Sequence, residues 1–314
     1  MRGDEPSPAR SAVLVRLSHS HLRFGTFQRL AYFGRTEEIE RLLGYACEHH
    51  YPDLASLPAR DQAPAFLRAV AERSARLAAS WMAAGFVHGV LNTDNLTVTA
   101  ESFDYGPWRF LPQVDPGFTA ARFDHSGLYA YGRQAEALLW ALSRLGGALT
   151  PVADEAALTE ALSGYGDAYM RAVADAFFAR LGLARGDDAA DVTLVQDLLR
   201  WMAGAGVPFE RTLFDLRKGA RWDGAHADAG FAALADRLAA RGLSADAHPY
   251  FAREAPEGLL NDEVQAIWAR IAEDDDWSAF DAKVAGLRAK GGAYGVRPLS
   301  APPGHVPLYG ADDS

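Results

Sequence analysis

His88-Gly89-Val90-Leu91-Asn92-Thr93-Asp94-Asn95, followed nine residues later by Asp104-Tyr105-Gly106, decides how this chain is read. Asn95 and Asp104 both carry side-chain oxygens of the hard kind that Mg²⁺ takes. That ion binds few protein groups and completes its shell with phosphate oxygens and water. An Asp-Tyr-Gly alone is a common turn and a lone loop asparagine a common Asx-turn, but the two in this order favour a metal pair. Upstream, Phe66, Val70, Leu77 and Trp81 recur at helical spacing, which predicts a helix over residues 63–84 that stops at Gly85 and delivers the chain into His88. Downstream, β-branched alternation over residues 96–99, a turn over 100–102 and then Phe103 predict a short β-hairpin holding Asn95 near Asp104.

The spacing resembles the catalytic loop of protein kinases, in which H-R-D-x-x-x-x-N supplies a catalytic Asp and a metal-binding Asn and a later D-F-G supplies a second metal ligand. His88 and Asn95 keep that interval, but Val90 stands where the catalytic Asp belongs and has no proton-accepting group. The carboxylate lies instead at Asp94, beside Asn95. His88 itself is read as a packing residue rather than a catalytic imidazole.

A narrower resemblance is carried by a longer run. Gly85-Phe86-Val87-His88-Gly89-Val90-Leu91-Asn92-Thr93-Asp94-Asn95-Leu96, with Phe103-Asp104-Tyr105-Gly106-Pro107, resembles the signature of the SelO (YdiU) family of protein adenylyltransferases. Arg16-Leu17-Ser18-His19-Ser20-His21-Leu22-Arg23-Phe24-Gly25-Thr26-Phe27 resembles that family's arginine segment, and Asp115-Pro116-Gly117-Phe118 its bend after the D-Y-G element. Gly127, Tyr129, Gln134 and Trp140-Ala141-Leu142 resemble a later helical part, with Ala141 in place of the usual Asn. The resemblance is close over residues 11–145, looser to about 216 and faint beyond.

What the resemblance implies is specific. The fold would be α+β and predominantly helical, a protein-kinase-like C-lobe with a small catalytic β-hairpin. The reaction would move AMP from ATP to Ser, Thr or Tyr hydroxyls of proteins and release pyrophosphate, with Mg²⁺ or Mn²⁺. Asp94 would be the general base, a role that needs a carboxylate within hydrogen-bond reach of the hydroxyl. Asn95 and Asp104 would hold the metal, Asp104 thereby also binding the nucleotide. Arg16 and Arg23 would grip the terminal phosphate of an ATP flipped relative to kinases, since guanidinium pairs with phosphate in a bidentate fork. Two other readings stand beside this one: an inactive regulatory or binding remnant of the fold, and a small-molecule phosphotransferase, against which Val90 argues.

No glycine-rich phosphate loop and no strand Lys precede Arg16, and Met1-Arg2-Gly3-Asp4-Glu5 already resembles family sequence. Residues 1–290 are therefore expected to be the C-lobe of an N-terminally truncated representative, binding ATP weakly by itself, with residues 291–314 an extended proline-containing tail.

The rest of the chain bounds these expectations. A 314-residue chain with 49% hydrophobic and 23% charged residues has enough apolar material for a large core. A net charge of −10 argues against a nucleic-acid partner, which would need clustered Lys and Arg. Cys47 is the sole cysteine, which excludes an internal disulfide and fits a reducing compartment. With no apolar leader and no membrane-spanning run, a cytoplasmic protein with no membrane partner is expected. Other expectations are a strand over 12–16, a loop over 18–27 and a helix capped by Thr36. Further helices are expected over 135–145, 155–181, 192–202, 230–240 and 260–271. Trp81 and Trp140 are expected in the core.

Overall fold

The computed structural model of the chain describes residue 13 and residues 15–101, 104–219 and 229–295. The expected tail from residue 296 onward, Met1 to Glu5 and Phe103 lie outside the described residues.

The longest helix, α3 (Ala59–Ala84), organises the molecule. Its apolar stripe is buried on several sides, against α4 (Gln134–Leu149), α5 (Glu155–Ser163) and α6 (Tyr165–Leu181). One core gathers Phe66, Leu67 and Val70 of α3 with Phe27 of α1 (Phe24–Tyr32), Leu43 of α2 (Thr36–His50) and Leu138 and Leu142 of α4. A second gathers Phe177 and Phe178 of α6 with Leu198 of α7 (Asp188–Ala205) and Phe209 and Leu213 of α8 (Phe209–Lys218). Burial of this many large side chains is the main force holding the helices together, at about 1.5–3 kcal/mol for each fully buried one.

The C-terminal helices α9 (Ala229–Ala240), α10 (Asn261–Asp274) and α11 (Ser278–Ala293) complete the described chain. Lys290 of α11 reaches Glu210 of α8 at 2.7 Å, and Arg180 of α6 pairs with the same carboxylate. Burial resists ionisation of Glu210, but the charges of Arg180 and Lys290 outweigh it and hold this carboxyl below its ordinary value.

The sheet is small and differs from expectation. Its two strands are β1 (Phe86–Val87) and β2 (Arg109–Phe110), antiparallel with Phe86 opposite Phe110. The predicted hairpin from residues 96–99 is corrected: among the described residues that stretch forms no strand and meets the segment around Arg23 instead, through an isolated bridge between Thr97 and Arg23 and flanking backbone hydrogen bonds. Its β-branched residues serve a pairing with the upstream segment instead of one with the residues that follow.

Other boundaries moved for local reasons. Residues 24–27, expected as loop, open α1, which buries Phe24 and Phe27. Residues 13, 15 and 16 are not in a strand. Thr36 is the first residue of α2, and Arg35 occupies the cap. The helix expected over 155–181 is two, broken at Gly164. Helices α8 and α11 were not anticipated, and α11 takes in residues 291–293 of the expected tail. Trp81 is buried, but Trp140 is 51% exposed, its ring facing the Arg144 guanidinium at 5.3 Å. No helix among the described residues is long and apolar enough to cross a membrane.

Candidate active site

Gly85 ends α3 in the left-handed region (φ +64°), where it turns the chain into β1. A Cβ at this position would also run into the Phe209 ring, so the turn is restricted to glycine twice over. The Gly85 carbonyl accepts the Leu111 N–H at 2.8 Å, and the β1–β2 pair continues that contact, bringing residues 107–111 beside the loop that begins at His88.

The loop is fixed from beneath by Gln134, the first residue of α4. The His88 N–H donates to its Oε1 at 3.0 Å, and its Nε2 donates to the Phe86 carbonyl at 2.9 Å. The His88 ring is fully buried, 5.5 Å from the Trp81 ring and 5.9 Å from that of Tyr105. Gly89 adopts φ +89°, and a Cβ there would lie 3.0 Å from Pro107 Cγ and 3.1 Å from Ala120 Cβ. Buried Leu91 and Leu96 then anchor the two ends of a half-buried turn. Within that turn Asn92 accepts the Asp94 N–H on its side chain at 2.9 Å and the Asn95 N–H on its carbonyl at 3.1 Å.

The upstream arginine segment lies along this turn. Gly25 N–H donates to Thr93 O at 3.1 Å, Phe24 N–H to Leu96 O at 3.1 Å, and Val98 N–H to Leu22 O at 2.8 Å. Arg23, the N-cap residue of α1, forms the bridge to Thr97 in the middle of this ladder. Glu101 adds a side-chain clasp, accepting from Ser18 Oγ at 3.0 Å, Thr99 Oγ1 at 2.9 Å and the His19 backbone N–H at 3.2 Å. Burial opposes its ionisation, but hydrogen bonds from His19, Thr99 and Ser18 prevail and hold its carboxyl below the ordinary value. Tyr51 supports the turn from the core: its hydroxyl donates to Val98 O at 2.6 Å, and burial pushes the phenol up to about 12.

The residues singled out in the sequence are thus placed as follows. Asn95 Nδ2 donates to Asp104 Oδ2 at 3.0 Å. Asp104, held at φ +56°, turns its other carboxylate oxygen to the Arg16 guanidinium as an ion pair. Asp94 is exposed, and its carboxylate accepts no hydrogen bond among the described residues. It stands over the first turn of α1, so close that a Cβ on Gly25 would collide with its Oδ1. The positive end of a helix favours a carboxylate there. Asp104 is therefore in direct contact with both Arg16 and Asn95, while Arg23 lies in the backbone ladder along the turn that carries Asp94.

Whether this cluster suits a divalent cation is tested by Asn95. Its Oδ1 is buried and has no hydrogen-bond partner among the described residues, an arrangement that is costly unless something electropositive fills it. Asp104 supplies the charge beside it. No group of three or more His, Cys, Asp and Glu that could hold a metal exists among the described residues. That suits Mg²⁺, which needs only one or two protein ligands when phosphates supply the rest. Asn95 and Asp104 fit the ion.

Sequence reasoning missed the supporting residues. Gln134 was noticed only as part of a resemblance, Glu101 not at all, and Gly25 and Gly89 only as letters in motifs. Glycines inside otherwise polar loop motifs were the one available signal, since they mark close backbone approach.

The family model described as protein adenylyltransferase SelO matches residues 1–242. The chain belongs to the SelO family. It is 36% identical to the protein nucleotidyltransferase YdiU of Synechocystis sp., over 92% of this chain and 65% of that protein. It is 39% identical to the protein nucleotidyltransferase YdiU of Gloeobacter violaceus, over 91% of this chain and 63% of that protein. The chain therefore spans somewhat less than two thirds of the length of these SelO-family relatives.

Proposed function

We propose that this chain carries the catalytic centre of a protein adenylyltransferase, residues 1–290 forming a kinase-like C-terminal lobe, and that it transfers AMP from ATP to Ser, Thr or Tyr hydroxyls of other proteins. The observation that carries this reading is the position of the Asp94 carboxylate, exposed and accepting no hydrogen bond among the described residues, beside an Asn95–Asp104 pair with an orphan oxygen. Family membership and the nucleotidyltransferase names of the relatives support it.

Asp94 accepts the proton of the acceptor hydroxyl as its oxygen forms a bond to the α-phosphorus of ATP, and the bond to the β-phosphate oxygen breaks to release pyrophosphate. Asn95 Oδ1 and the Asp104 carboxylate would hold Mg²⁺, which when bound neutralises phosphate charge. Arg16 moves from Asp104 to the nucleotide when ATP arrives, because a phosphate offers its guanidinium a bidentate partner. Arg23 sits on the same ladder and serves the terminal phosphate. Val90, intermediate in burial and apolar, leaves Asp94 as the base. Incubating the protein with ATP, Mg²⁺ and hydroxyl-bearing protein acceptors tests this. Pyrophosphate is the expected product, and ADP in its place would mean phosphoryl transfer.

A further inference from the structure

Between Asp104 and α4 the chain folds back on itself. Gly132 N–H donates to Pro116 O at 2.9 Å and Tyr131 N–H to Phe118 O at 3.0 Å, so residues 116–132 make a loop closed at its base. The tip is fixed from inside by Asp124, whose two carboxylate oxygens accept the Leu128 and Tyr129 N–H groups, each at 2.8 Å. A nearly buried carboxylate with charge-assisted bonds to backbone is a rigid support.

The support displays apolar and basic side chains together. Phe123 is 66% exposed and Leu128 47%. Arg122 and His125, also exposed, line a concavity of about 630 Å³. Neither forms an ion pair among the described residues, whereas Arg133 in the same wall is engaged by Glu136 and Asp124 by the backbone. On a chain of net charge −10 this is a concavity that presents a guanidinium with no ion-pair partner among the described residues, on the same loop as two large exposed apolar side chains. Large exposed apolar groups on a rigid loop mark places where another molecule is bound. The concavity also backs onto the loop that carries Asp94: Ala120, one of its lining residues, lies against Gly89.

We propose that the 116–132 loop is the docking site for the acceptor polypeptide, and that it selects segments carrying an acidic residue and a large apolar residue near the hydroxyl to be modified. Arg122 and His125 pair with the acidic side chain; Phe123 and Leu128 cover the apolar one. The name of acceptor rests on the adenylyl-transfer reading, but binding at the loop does not require transfer.

Fluorescence anisotropy on the chain itself tests this, with two labelled serine peptides that are identical except that Glu residues flanking a Phe in one are Lys in the other. The acidic peptide is expected to bind at least about tenfold more tightly. Arg122→Glu should abolish or reverse that preference, Arg122→Gln should halve its logarithm, and Phe123→Ala should weaken the acidic peptide about tenfold. Arg68→Glu, the same charge change at an exposed position on α3, should leave both affinities unchanged. Equal affinity for the two peptides, no binding of either, or an equal effect of Arg68→Glu and Arg122→Glu would each overturn the docking site. Labelling of proteins from ATP that ignores Arg122→Glu would sink the docking site and spare the transfer reading. Selective peptide binding without any labelling would do the reverse.

Discussion

The side-chain amide of Asn95 donates to Asp104 Oδ2 at 3.0 Å while its own Oδ1 lies buried with no partner among the described residues. A buried acceptor left unsatisfied costs about 1–3 kcal/mol. The pair is therefore oriented to receive an electropositive group, and the Arg16 guanidinium is the cation beside Asp104.

Removing either oxygen should uncouple nucleotide from metal. Asp104→Ala is expected to abolish the Mg²⁺ dependence of ATP binding in titration calorimetry, and Asn95→Ala to weaken the Mg²⁺-dependent component about tenfold. The two losses differ because the aspartate supplies charge and the asparagine only a dipole. Unchanged Mg²⁺ dependence in both variants would remove these residues from the metal site.

Gly25→Ala separates chemistry from stability. The added Cβ would displace the Asp94 carboxylate, the far end of a mobile side chain, and not the backbone. Alanine in the helix should contribute about 0.5–1 kcal/mol relative to glycine, so the melting temperature is expected to hold or rise. Transfer is expected to fall about 100-fold, the lower range for loss of a general base, with ATP affinity retained. A variant with wild-type transfer would mean that the position of Asp94 over α1 does not matter.

The Glu101 clasp should make docking of the arginine segment acid-sensitive. Its carboxyl is held below its ordinary value of 4.5 in the folded chain, so its contribution is complete above 4.5 and is lost as pH falls through the depressed value. Glu101→Gln should thus melt at a lower temperature than wild type near neutrality, and the two curves should converge in acid. The gap will be modest because the side chain is 34% exposed. A gap that widens in acid would contradict the assignment.

Much of the site was legible because it is nearly contiguous. His88 and Asp104 lie only sixteen positions apart in the sequence, and that span carries oxygen donors in a fixed order and a missing base at Val90, with a glycine stop at Gly85 before it. The pairing of residues 22–25 with 93–98 was not legible, since nothing local in either strand names its partner across that separation. The same limit misplaced the hairpin: β-branched Thr97 does mark a bridging position, but Val98 and Thr99 fall in a turn, and propensity does not say what pairs with what. Gly164 was passed over because the apolar period continues on both sides of it, and α1 because two aromatics among polar residues look like loop until the core that receives them is known. Trp140 shows the converse error, for Leu138 and Leu142 occupy the buried face of α4 and leave the indole half outside.

The most direct test of the central claim uses ATP labelled separately on the α- and γ-phosphates, with wild-type protein and Asp94→Ala, and reads label on protein acceptors and ATP retained by the enzyme. Label is expected from the α-position only, and Asp94→Ala should lose it while still binding ATP, since removing a base acts on the chemical step more than on ground-state binding. Label arriving from the γ-position, or α-label that survives Asp94→Ala, would contradict the account.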